Sequence, residues 1–248
     1  MTAVSRPVIV VTRAAEQSGG LTSRLRVAGY DVLEVPVIEI VDAPDGGAAL
    51  ASALEGLDEY EWVVVTSPNG ASRVRDALAR RAGARPRVAV VGPGTAEALG
   101  IVAADLQATN SVGEGLVEVF PSGSGRVLLV QAQAARPVVR EGLTAKGWTV
   151  DAVMAYQTVA AHPAADLLER AAGAAAIVFT SGSTVRNYLA AAGTEGLPAV
   201  RVSIGPATTA VAAELGVSID LTASVHNLDG VVEALRAVVA PSGSGSHS

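Results

Sequence analysis

The sequence has no cysteine and few aromatic residues. The lack of cysteine excludes the chemistry of thiols and disulfides. The 248 residues include two Trp, two Phe and no Cys. Disulfides, thiolate nucleophiles and sulfur-ligated metal sites are therefore excluded. Hydrophobic residues make up 50 % of the chain but aromatic residues only 3 %. A core of Val, Ile, Leu and Ala follows, and such strands suit a parallel sheet that is covered on both faces.

The sequence also gives little evidence for metal binding, for a membrane span or for nucleic-acid binding. The histidines His162, His226 and His247 lack the spacing of a metal site. No apolar run approaches the ~20 residues of a membrane span, and the stretch Pro7–Val11 is too short for a signal peptide. The net charge of −6 opposes the basic field that nucleic-acid binding needs. We expect a cytoplasmic, monomeric protein without nucleic-acid or membrane partners.

Four sequence blocks occur twice, in the same order, displaced by about 118 residues. The strand VIVVT, a helix ending at Gly29 and the strand DVLEVPVIEI recur as VLLV, a helix ending at Gly147 and TVDAVMAYQTV. The other pairs are WVVVTSPNGASRV with AIVFTSGSTVRNY, VAVVGPGTAEAL with VSIGPATTAVAAEL, and NSVGEGLVEVF with SVHNLDGVVEAL. Because short β-branched runs alternate with amphipathic helices, the pattern predicts a parallel, doubly wound α/β sheet in each of two lobes.

Hydroxyl-rich turns follow one strand of each copy. They run from Thr66 to Gly70 and from Thr180 to Ser183, and ligands of open parallel sheets bind at the carboxyl ends of the strands. Ser67, followed by Pro68, is typical of a helix N-cap. The free N–H groups of such a helix start attract carboxylate or phosphate. The turns could be caps alone, but their presence in both copies favours a binding role.

A second pair of turns, Gly92–Thr95 and Gly205–Thr208, also follows strands and precedes helices. The first turn matches the dinucleotide fingerprint G-x-G-x-x-A. We reject that interpretation because the second copy lacks the middle glycine and neither turn follows the first strand of its unit. Both are suited to hold an anion at a helix start. Further along, Ser111 with Glu114 predicts a capping box, and Asn227 is its counterpart in the second copy.

Conventional catalytic groups are scarce. There is no Ser/His/Asp pattern, no carboxylate pair at a strand end and no P-loop lysine, since the one lysine is Lys146 near a helix end. Tyr156 lies where the regular pattern breaks and the chain is expected to cross between lobes. A phenol can donate a proton to a leaving hydroxyl. Considered alone, Tyr156 fits a packing residue whose hydroxyl reaches the surface better than a catalytic one.

Taken together, these blocks resemble the uroporphyrinogen-III synthase family, the cyclising enzymes of tetrapyrrole biosynthesis. The motifs that carry the resemblance are VTR (11–13), TSPNG (66–70), VGPGTAEAL (91–99), RPVVREGL (136–143), AYQTV (155–159), FTSGSTV (179–185) and IGPATTA (204–210). Each motif is weak alone, but their order and spacing extend over the chain to about Val239. The resemblance implies two Rossmann-like, flavodoxin-like lobes joined by a two-stranded linker. Its boundaries would be 1–38 with 160–240 for lobe 1, 44–153 for lobe 2, 39–43 and 154–159 for the linkers, and 241–248 for a flexible tail.

The resemblance also implies a reaction. The substrate would be hydroxymethylbilane, a linear tetrapyrrole with eight carboxylates, and the enzyme would remove its hydroxyl, close the ring and invert ring D through a spiro intermediate. No metal or organic cofactor would take part. Tyr156 matches the tyrosine thought to assist the leaving hydroxyl. The residues expected to bind the substrate are Thr12, Arg13, Thr66, Ser67, Asn69, Gly70, Gly92, Thr95, Gln131, Thr180, Ser181, Gly182, Ser183, Gly205 and Thr208.

Two departures from the family pattern stand out. Gln131 and Gln133 occupy positions where family members often carry an Arg-Gly-Asp-like stretch, so a cation that could bind carboxylate is missing. Gly182 stands where proline is common. Arg13 and Arg73 are candidates for the replacement cation, although each could equally be solvated.

Two other functions fit the same residues. A non-catalytic relative of the same fold could bind a tetrapyrrole or another anion and act as a regulatory domain. An unrelated two-lobed small-molecule sensor is the third possibility, and the serine- and threonine-rich turns count against it. Conversion of hydroxymethylbilane to the type III isomer separates the enzyme from both.

Overall fold

The computed structural model describes residues 5–80, 86–101, 104–110 and 112–241, except for the side chains of 15–17. The chain forms two compact units: unit 1 comprises Met1–Glu39 and Val159–Ser248, and unit 2 comprises Ile40–Thr158. Within the described ranges, no helix is both long and apolar enough to cross a membrane.

Strands and helices alternate along both units, as the sequence predicts. The strands are β1 (Val8–Val11), β2 (Asp31–Glu34), β3 (Ile38–Asp42), β4 (Trp62–Val65), β5 (Arg87–Val90), β6 (Leu106–Gln107), β7 (Arg126–Ala132), β8 (Thr149–Ala160), β9 (Ala176–Phe179), β10 (Val200–Ser203) and β11 (Leu221–Thr222). The helices are α1 (Ala15–Val27), α2 (Ala48–Glu55), α3 (Pro68–Ala79), α4 (Pro93–Leu99), α5 (Gly113–Val119), α6 (Val138–Ala145), α7 (Ala165–Ala172), α8 (Gly182–Ala192), α9 (Pro206–Glu214) and α10 (Leu228–Val238), with a 3-10 turn at Leu57–Glu59.

The two sheets have the same strand order. Unit 1 is ordered β2-β1-β9-β10-β11 and unit 2 is ordered β3-β8-β7-β4-β5-β6. Unit 1 has the parallel 2-1-3-4-5 order of flavodoxin-like folds. Without the extra edge strand β3, unit 2 has the parallel order 5-4-1-2-3, in which strands matched by the repeat take the same places in the sheet. The predicted duplication and the parallel α/β class are therefore confirmed. In unit 2 the block β7-α6-β8 follows the block β4 to α5 along the chain, so the same sheet is built with permuted connectivity.

The cores are aliphatic, as the composition requires. The central strands β4 and β9 are buried at every position. Val63, Val65, Leu128 and Val130 face one side of the unit 2 sheet, while the opposite side carries three aromatic rings. There Phe120 packs between Trp62 and Trp148, with ring centroids 4.9 and 5.9 Å away.

The prediction that DVLEVPVIEI forms one strand is wrong. The segment forms two strands, β2 paired with β1 in unit 1 and β3 adjacent to β8 at the edge of the unit 2 sheet. Pro36 lies between them and has no N–H for a ladder. The N–H of Val35 still donates to the carbonyl of Val11 at 2.9 Å, so the contact of this segment with β1 extends up to Pro36. One apolar run therefore serves two sheets.

The predicted linkers 39–43 and 154–159 are largely strand residues of unit 2. β3 contains residues 39–42 and β8 contains residues 154–159, and the two strands are neighbours. The Gln157 side chain adds a 3.1 Å hydrogen bond from Nε2 to the carbonyl of Asp42. The unit boundaries consequently lie after Glu39 and after Thr158, inside these strands.

Glycines end the matching helices α1 and α6 as the repeat predicts. Gly29 and Gly147 have φ values of 93° and 97°, in the left-handed region that residues with a Cβ rarely adopt. Each is followed by a buried aromatic residue, Tyr30 or Trp148. This is the helix C-terminus that the Gly–aromatic pairs indicate.

A buried tyrosine makes unit 1 sensitive to alkaline pH. The Tyr188 side chain is fully buried and its hydroxyl donates to the carbonyl of Gly196 at 2.8 Å. Burial raises the pKa of Tyr188 to about 12, so the unfolded chain ionises first as the pH rises above about 10. The stabilisation of the folded state by the neutral Tyr188 side chain is complete below that pH and is lost as the pH approaches 12. We expect the free energy of unfolding to fall by about 2–3 kcal/mol across this range.

Urea titrations followed by far-UV circular dichroism at about pH 9 and pH 11.5 measure this loss. Tyr188→Phe should have a clearly shallower pH dependence, with the remainder due in part to Tyr30, whose pKa burial also raises. An identical slope in the variant and the parent would contradict the assignment to Tyr188.

Candidate functional site

In unit 2, the turn after β4 is built as a helix cap. Ser67 is the N-cap of α3, Pro68 is the first helical residue, and Ser67 Oγ accepts a hydrogen bond from the Gly70 N–H at 3.2 Å. This confirms the predicted cap. The preceding Thr66 is half-buried and its hydroxyl donates to the carbonyl of Val130 at 3.3 Å. A Cβ at Gly70 would lie 3.3 Å from Val130 Cγ1, so glycine lets α3 start close against the sheet.

Tyr156 is joined directly to this turn. It lies in β8 opposite Ala132, at the carboxyl end of β7, and is only 7 % exposed. Its hydroxyl donates to Ser67 Oγ at 2.9 Å. Since the phenol ends on Ser67, it does not reach the surface by itself as the packing alternative supposed. The structure thus brings together two residues that are 89 positions apart in sequence.

Arg73 is the cation beside this pair. Its guanidinium carbon lies 5.4 Å from the centre of the Tyr156 ring, a favourable cation–π geometry. Nη1 donates to the carbonyl of Asn69 at 3.2 Å, and Nη2 lies 3.4 Å from an Asp42 carboxylate oxygen. Nε is buried without a hydrogen-bond partner among the described residues. Arg73 is therefore fixed over Tyr156 by protein groups rather than free in solvent.

A cavity of about 280 Å³ opens at the same edge of the unit 2 sheet. Its lining consists of Thr66, Val91, Val112, Gly113, Gln131, Ala135, Arg136, Val138 and Val139. Two of these, Thr66 and Gln131, are predicted binding residues. Sequence reasoning missed Arg136, although it begins one of the motifs that carry the resemblance.

Arg136 forms a two-pronged ion pair with Glu114 of α5. Nη1 and Nη2 lie 2.5 and 3.0 Å from the two carboxylate oxygens. Hydrogen bonding by Arg136 is the main cause that lowers the pKa of Glu114. The predicted capping box of Ser111 with Glu114 lies in part outside the described residues, and the structure gives Glu114 this other role.

In unit 1, the turn after β9 repeats the cap. Ser181 is the N-cap of α8, where its Oγ accepts from the Thr184 N–H at 3.3 Å and lies 2.8 Å from Ser183 Oγ. Thr180, Ser181, Gly182 and Ser183 are all half-buried. Their hydroxyl and N–H groups are therefore gathered at the carboxyl edge of the unit 1 sheet.

Gly182 has a packing reason to differ from the proline that the family often carries. A Cβ at this position would lie 2.8 Å from Val211 Cγ2, because α9 packs closely against the start of α8. Real Cβ contacts essentially never fall below 3.0 Å. The size of Val211 and the absence of a side chain at Gly182 are thus complementary.

Gly182→Pro should lower the free energy of unfolding by about 1–3 kcal/mol through this overpacking. Proline is otherwise acceptable at a first helical position. The double variant Gly182→Pro/Val211→Ala should recover part of the loss, which a double-mutant cycle of urea unfolding measures. Strictly additive effects of the two substitutions would show that the contact is not the cause.

The Gly-Pro turns begin helices as predicted. Gly92 and Gly205 are the N-caps of α4 and α9, each followed by proline. Three threonines expected to bind substrate are nevertheless buried: Thr95 and Thr208 are 4 % and 5 % exposed and Thr12 is 0 % exposed. The Thr12 hydroxyl donates to the carbonyl of Val178 at 3.0 Å and joins β1 to β9. The chain thus turns all three side chains inward after the strand ends.

Unit 1 contains a hydroxyl cluster that sequence reasoning missed. Thr209 Oγ1 lies 2.6 Å from Ser203 Oγ and 2.7 Å from Thr222 Oγ1. The cluster lies where β10 and β11 end, so hydroxyl residues at the last positions of two neighbouring strands were the available signal. Nearby, a Cβ at Gly205 would lie 3.2 Å from the ring of the exposed His226.

Arg13 and the last helix complete this edge. Arg13 follows β1, is half-buried, and its pKa is lowered by burial. The predicted cap at Asn227 is confirmed, since its Oδ1 accepts from the Gly230 N–H at 2.8 Å. In the described residues, no group of three His, Cys, Asp or Glu side chains could hold a metal ion.

The chain as a whole resembles known proteins. The family model described as uroporphyrinogen-III synthase HemD matches residues 20–233. The chain belongs to the uroporphyrinogen-III synthase family. It is 30 % identical to the uroporphyrinogen-III synthase of Synechococcus elongatus, over 92 % of this chain and 94 % of that protein. It is 26 % identical to the chloroplastic uroporphyrinogen-III synthase of Oryza sativa subsp. japonica, over 93 % of this chain and 82 % of that protein.

Solved structures of the family show the same fold. Uroporphyrinogen-III synthetase of Helicobacter pylori aligns with a TM-score of 0.61 at 17 % identity, over 92 % of this chain and 97 % of that chain. A mutant uroporphyrinogen III synthase of Thermus thermophilus gives 0.59 at 17 % identity, over 93 % and 98 %. The predicted family and its enzyme class, a lyase of tetrapyrrole biosynthesis, are confirmed, and no comparison supports the regulatory alternative.

Proposed function

We propose that the chain cyclises hydroxymethylbilane to uroporphyrinogen III, with loss of water and inversion of ring D. The observation that carries the proposal is the family match over residues 20–233, and the Tyr156–Ser67 hydrogen bond within that range supplies a proton donor. A cytoplasmic location, a monomeric state and independence from cofactors belong to the same proposal.

Departure of the hydroxyl requires little conventional catalysis. The C–O bond breaks with its electron pair on oxygen, and the pyrrole stabilises the carbocation that is left. One proton transferred to the oxygen lets it leave as water, and correct placement of the chain ends then favours closure. This chemistry is consistent with the lack of a Ser/His/Asp pattern in the sequence.

Tyr156 and Ser67 are proposed to supply that proton together. Ser67 Oγ accepts from both Tyr156 and the Gly70 N–H, so its own proton is available to a further acceptor. Ser67 would protonate the leaving oxygen and take a proton from Tyr156, and the nearby Arg73 charge would stabilise the resulting tyrosinate. The proton released when the ring closes would restore the tyrosine.

The proposed binding set consists of the accessible groups at the two sheet edges. These are Thr66, Ser67, Asn69 and Gln131 in unit 2, and Arg13, Thr180, Ser181, Gly182 and Ser183 in unit 1; the predicted glycines Gly70, Gly92 and Gly205 are buried and are left out. Neutral N–H and hydroxyl donors at the starts of α3 and α8 suit carboxylates, which helix N-termini attract. Thr12, Thr95 and Thr208 are left to structural roles because they are buried.

The decisive test supplies the purified protein with enzymatically generated hydroxymethylbilane and separates the products by chromatography. We expect mainly the type III isomer, without added metal and with a chelator present. Formation of the type I isomer alone, at the spontaneous rate, would contradict the enzyme and favour the regulatory domain. Analytical ultracentrifugation of the same sample tests the monomer.

A further inference from the structure

The cavity of about 280 Å³ in unit 2 is too small for a whole tetrapyrrole. Ligand pockets for complete small molecules are usually about 300–1,000 Å³, so this one suits a single arm of a larger ligand. It lies where β4, β5 and β7 end, with Thr66, Val91 and Gln131 contributed by the three strand ends. Its position is that of a ligand site in an open parallel sheet.

The lining combines an apolar wall with a few donors. Val91, Val138 and Val139 form the wall, while Thr66 and Gln131 bring a hydroxyl and an amide. Arg136 is the only cationic side chain in the lining described for this cavity. A planar guanidinium binds a carboxylate through two parallel hydrogen bonds, and the other donors can bind the remaining lone pairs.

Glu114 already makes those two hydrogen bonds, at 2.5 and 3.0 Å. The Arg136 and Glu114 side chains are 67 % and 49 % exposed, and exposed ion pairs contribute little to stability. An incoming carboxylate can therefore take the place of Glu114 at low cost, since it restores the same bidentate contact. Glu114 in turn is released to solvent.

We infer that this cavity is a carboxylate subsite in which Glu114 occupies Arg136 until a carboxylate arm of the ligand displaces it. The inference rests on the proposed function for its ligand, a polycarboxylate tetrapyrrole. In this subsite, Arg136 supplies the positive charge that the uncharged Gln131 and Gln133 lack. Glu114 is then an internal competitor that limits affinity.

Titration of the full-length protein with uroporphyrin III, followed by quenching of porphyrin fluorescence at fixed ionic strength, tests this exchange. Arg136→Gln should weaken binding about tenfold, because a charged hydrogen-bond donor is lost. Glu114→Gln should tighten binding about threefold, because the competing carboxylate is gone. In the Arg136→Gln background, Glu114→Gln should have no further effect, since its competitor role needs Arg136.

Asp76→Asn is the matched control for net charge. Asp76 pairs with Arg75 on α3, with side chains 68 % and 52 % exposed, and its substitution changes the charge of unit 2 by the same amount as Glu114→Gln. Binding by Asp76→Asn should equal that of the parent. A gain as large as that of Glu114→Gln would attribute the effect to long-range charge and overturn the exchange.

The remaining outcomes separate the subsite from the proposed function. Equal affinity of Arg136→Gln and the parent overturns the subsite, and equal affinity of Glu114→Gln and the parent overturns the exchange. Turnover of hydroxymethylbilane is measured on the same samples. A parent protein that binds uroporphyrin III but yields no type III isomer contradicts the proposed function, while the Arg136→Gln titration still decides the subsite.

Discussion

Tyr156→Phe should lower the rate of type III product formation about a hundredfold, because a positioned general acid contributes on that order. The ring stays under Arg73, and Ser67 Oγ keeps its hydrogen bond from Gly70. Only the phenolic hydroxyl and its 2.9 Å bond to Ser67 are lost. The free energy of unfolding should fall by only about 1 kcal/mol, as for one hydrogen bond. Spontaneous closure then gives a larger share of the type I isomer, measured by chromatography.

Tyr60→Phe is the control that matches this change. Tyr60 is 9 % exposed, has the Arg126 guanidinium carbon 4.9 Å from its ring centre and hydrogen-bonds with Asp151. It precedes β4, at the opposite end of the same sheet from Tyr156. The two variants remove the same atom from similar surroundings, so Tyr60→Phe should keep full turnover. Similar losses in both variants would indicate general damage, and unchanged turnover in Tyr156→Phe would remove Tyr156 from the mechanism.

The architecture could be predicted because the signals for it are local and occur twice. Strand runs such as VIVVT, the caps at Ser67 and Asn227, and the glycines Gly29 and Gly147 each specify a structure within a few residues. A second copy of each in the same order removed the ambiguity of short apolar runs. The duplication therefore predicted both sheets before any long-range contact was known.

The split between β2 and β3 could not be predicted in the same way. Both halves of DVLEVPVIEI are rich in aliphatic and β-branched residues, so either half is a good strand. Pro36 marked a possible break, but edge strands tolerate proline. The choice depends on which partner each half meets, β1 in one unit and β8 in the other.

The site was predicted as a set of turns but not as a set of contacts. A position after a strand indicates the correct edge of the sheet, yet it does not fix where the side chain points. Thr66 lines a cavity, whereas Thr95 is buried. The Arg136–Glu114 pair joins residues 22 positions apart on different elements, so no local pattern contains it. Tyr156 was singled out by position, but its bond to Ser67 needed the folded sheet.

The glycine at the third position of α10 illustrates how the repeat encodes packing as well as topology. Gly230 and its counterpart Gly115 in α5 both lie beneath the loop that precedes their helix. A Cβ at Gly115 would lie 1.9 Å from the Asn110 side chain, which can move. A Cβ at Gly230 would lie 2.0 Å from the backbone carbonyl oxygen of Val225, which can move only with the loop.

Gly230→Ala should therefore destabilise unit 1 by about 3 kcal/mol or more, in the range of severe overpacking. The clash would move the start of α10, whose Val231 and Leu235 are fully buried in the unit 1 core. Gly19→Ala is the control, because Gly19 lies in α1 of the same unit with no atom within 4 Å of a new Cβ. There the better helix propensity of alanine should stabilise the protein by about 0.5–1 kcal/mol.

Both tryptophans, Trp62 and Trp148, lie in unit 2, so two probes can locate the effect. Circular dichroism during urea unfolding follows both units, whereas tryptophan fluorescence follows unit 2. Gly230→Ala should shift the circular dichroism transition to lower urea and change the fluorescence transition less. Gly19→Ala should shift the circular dichroism transition the other way. If Gly230→Ala instead left the circular dichroism transition unchanged or moved it to higher urea, the carbonyl of Val225 would not restrict this position, and the glycine repeated in α5 and α10 would have another origin.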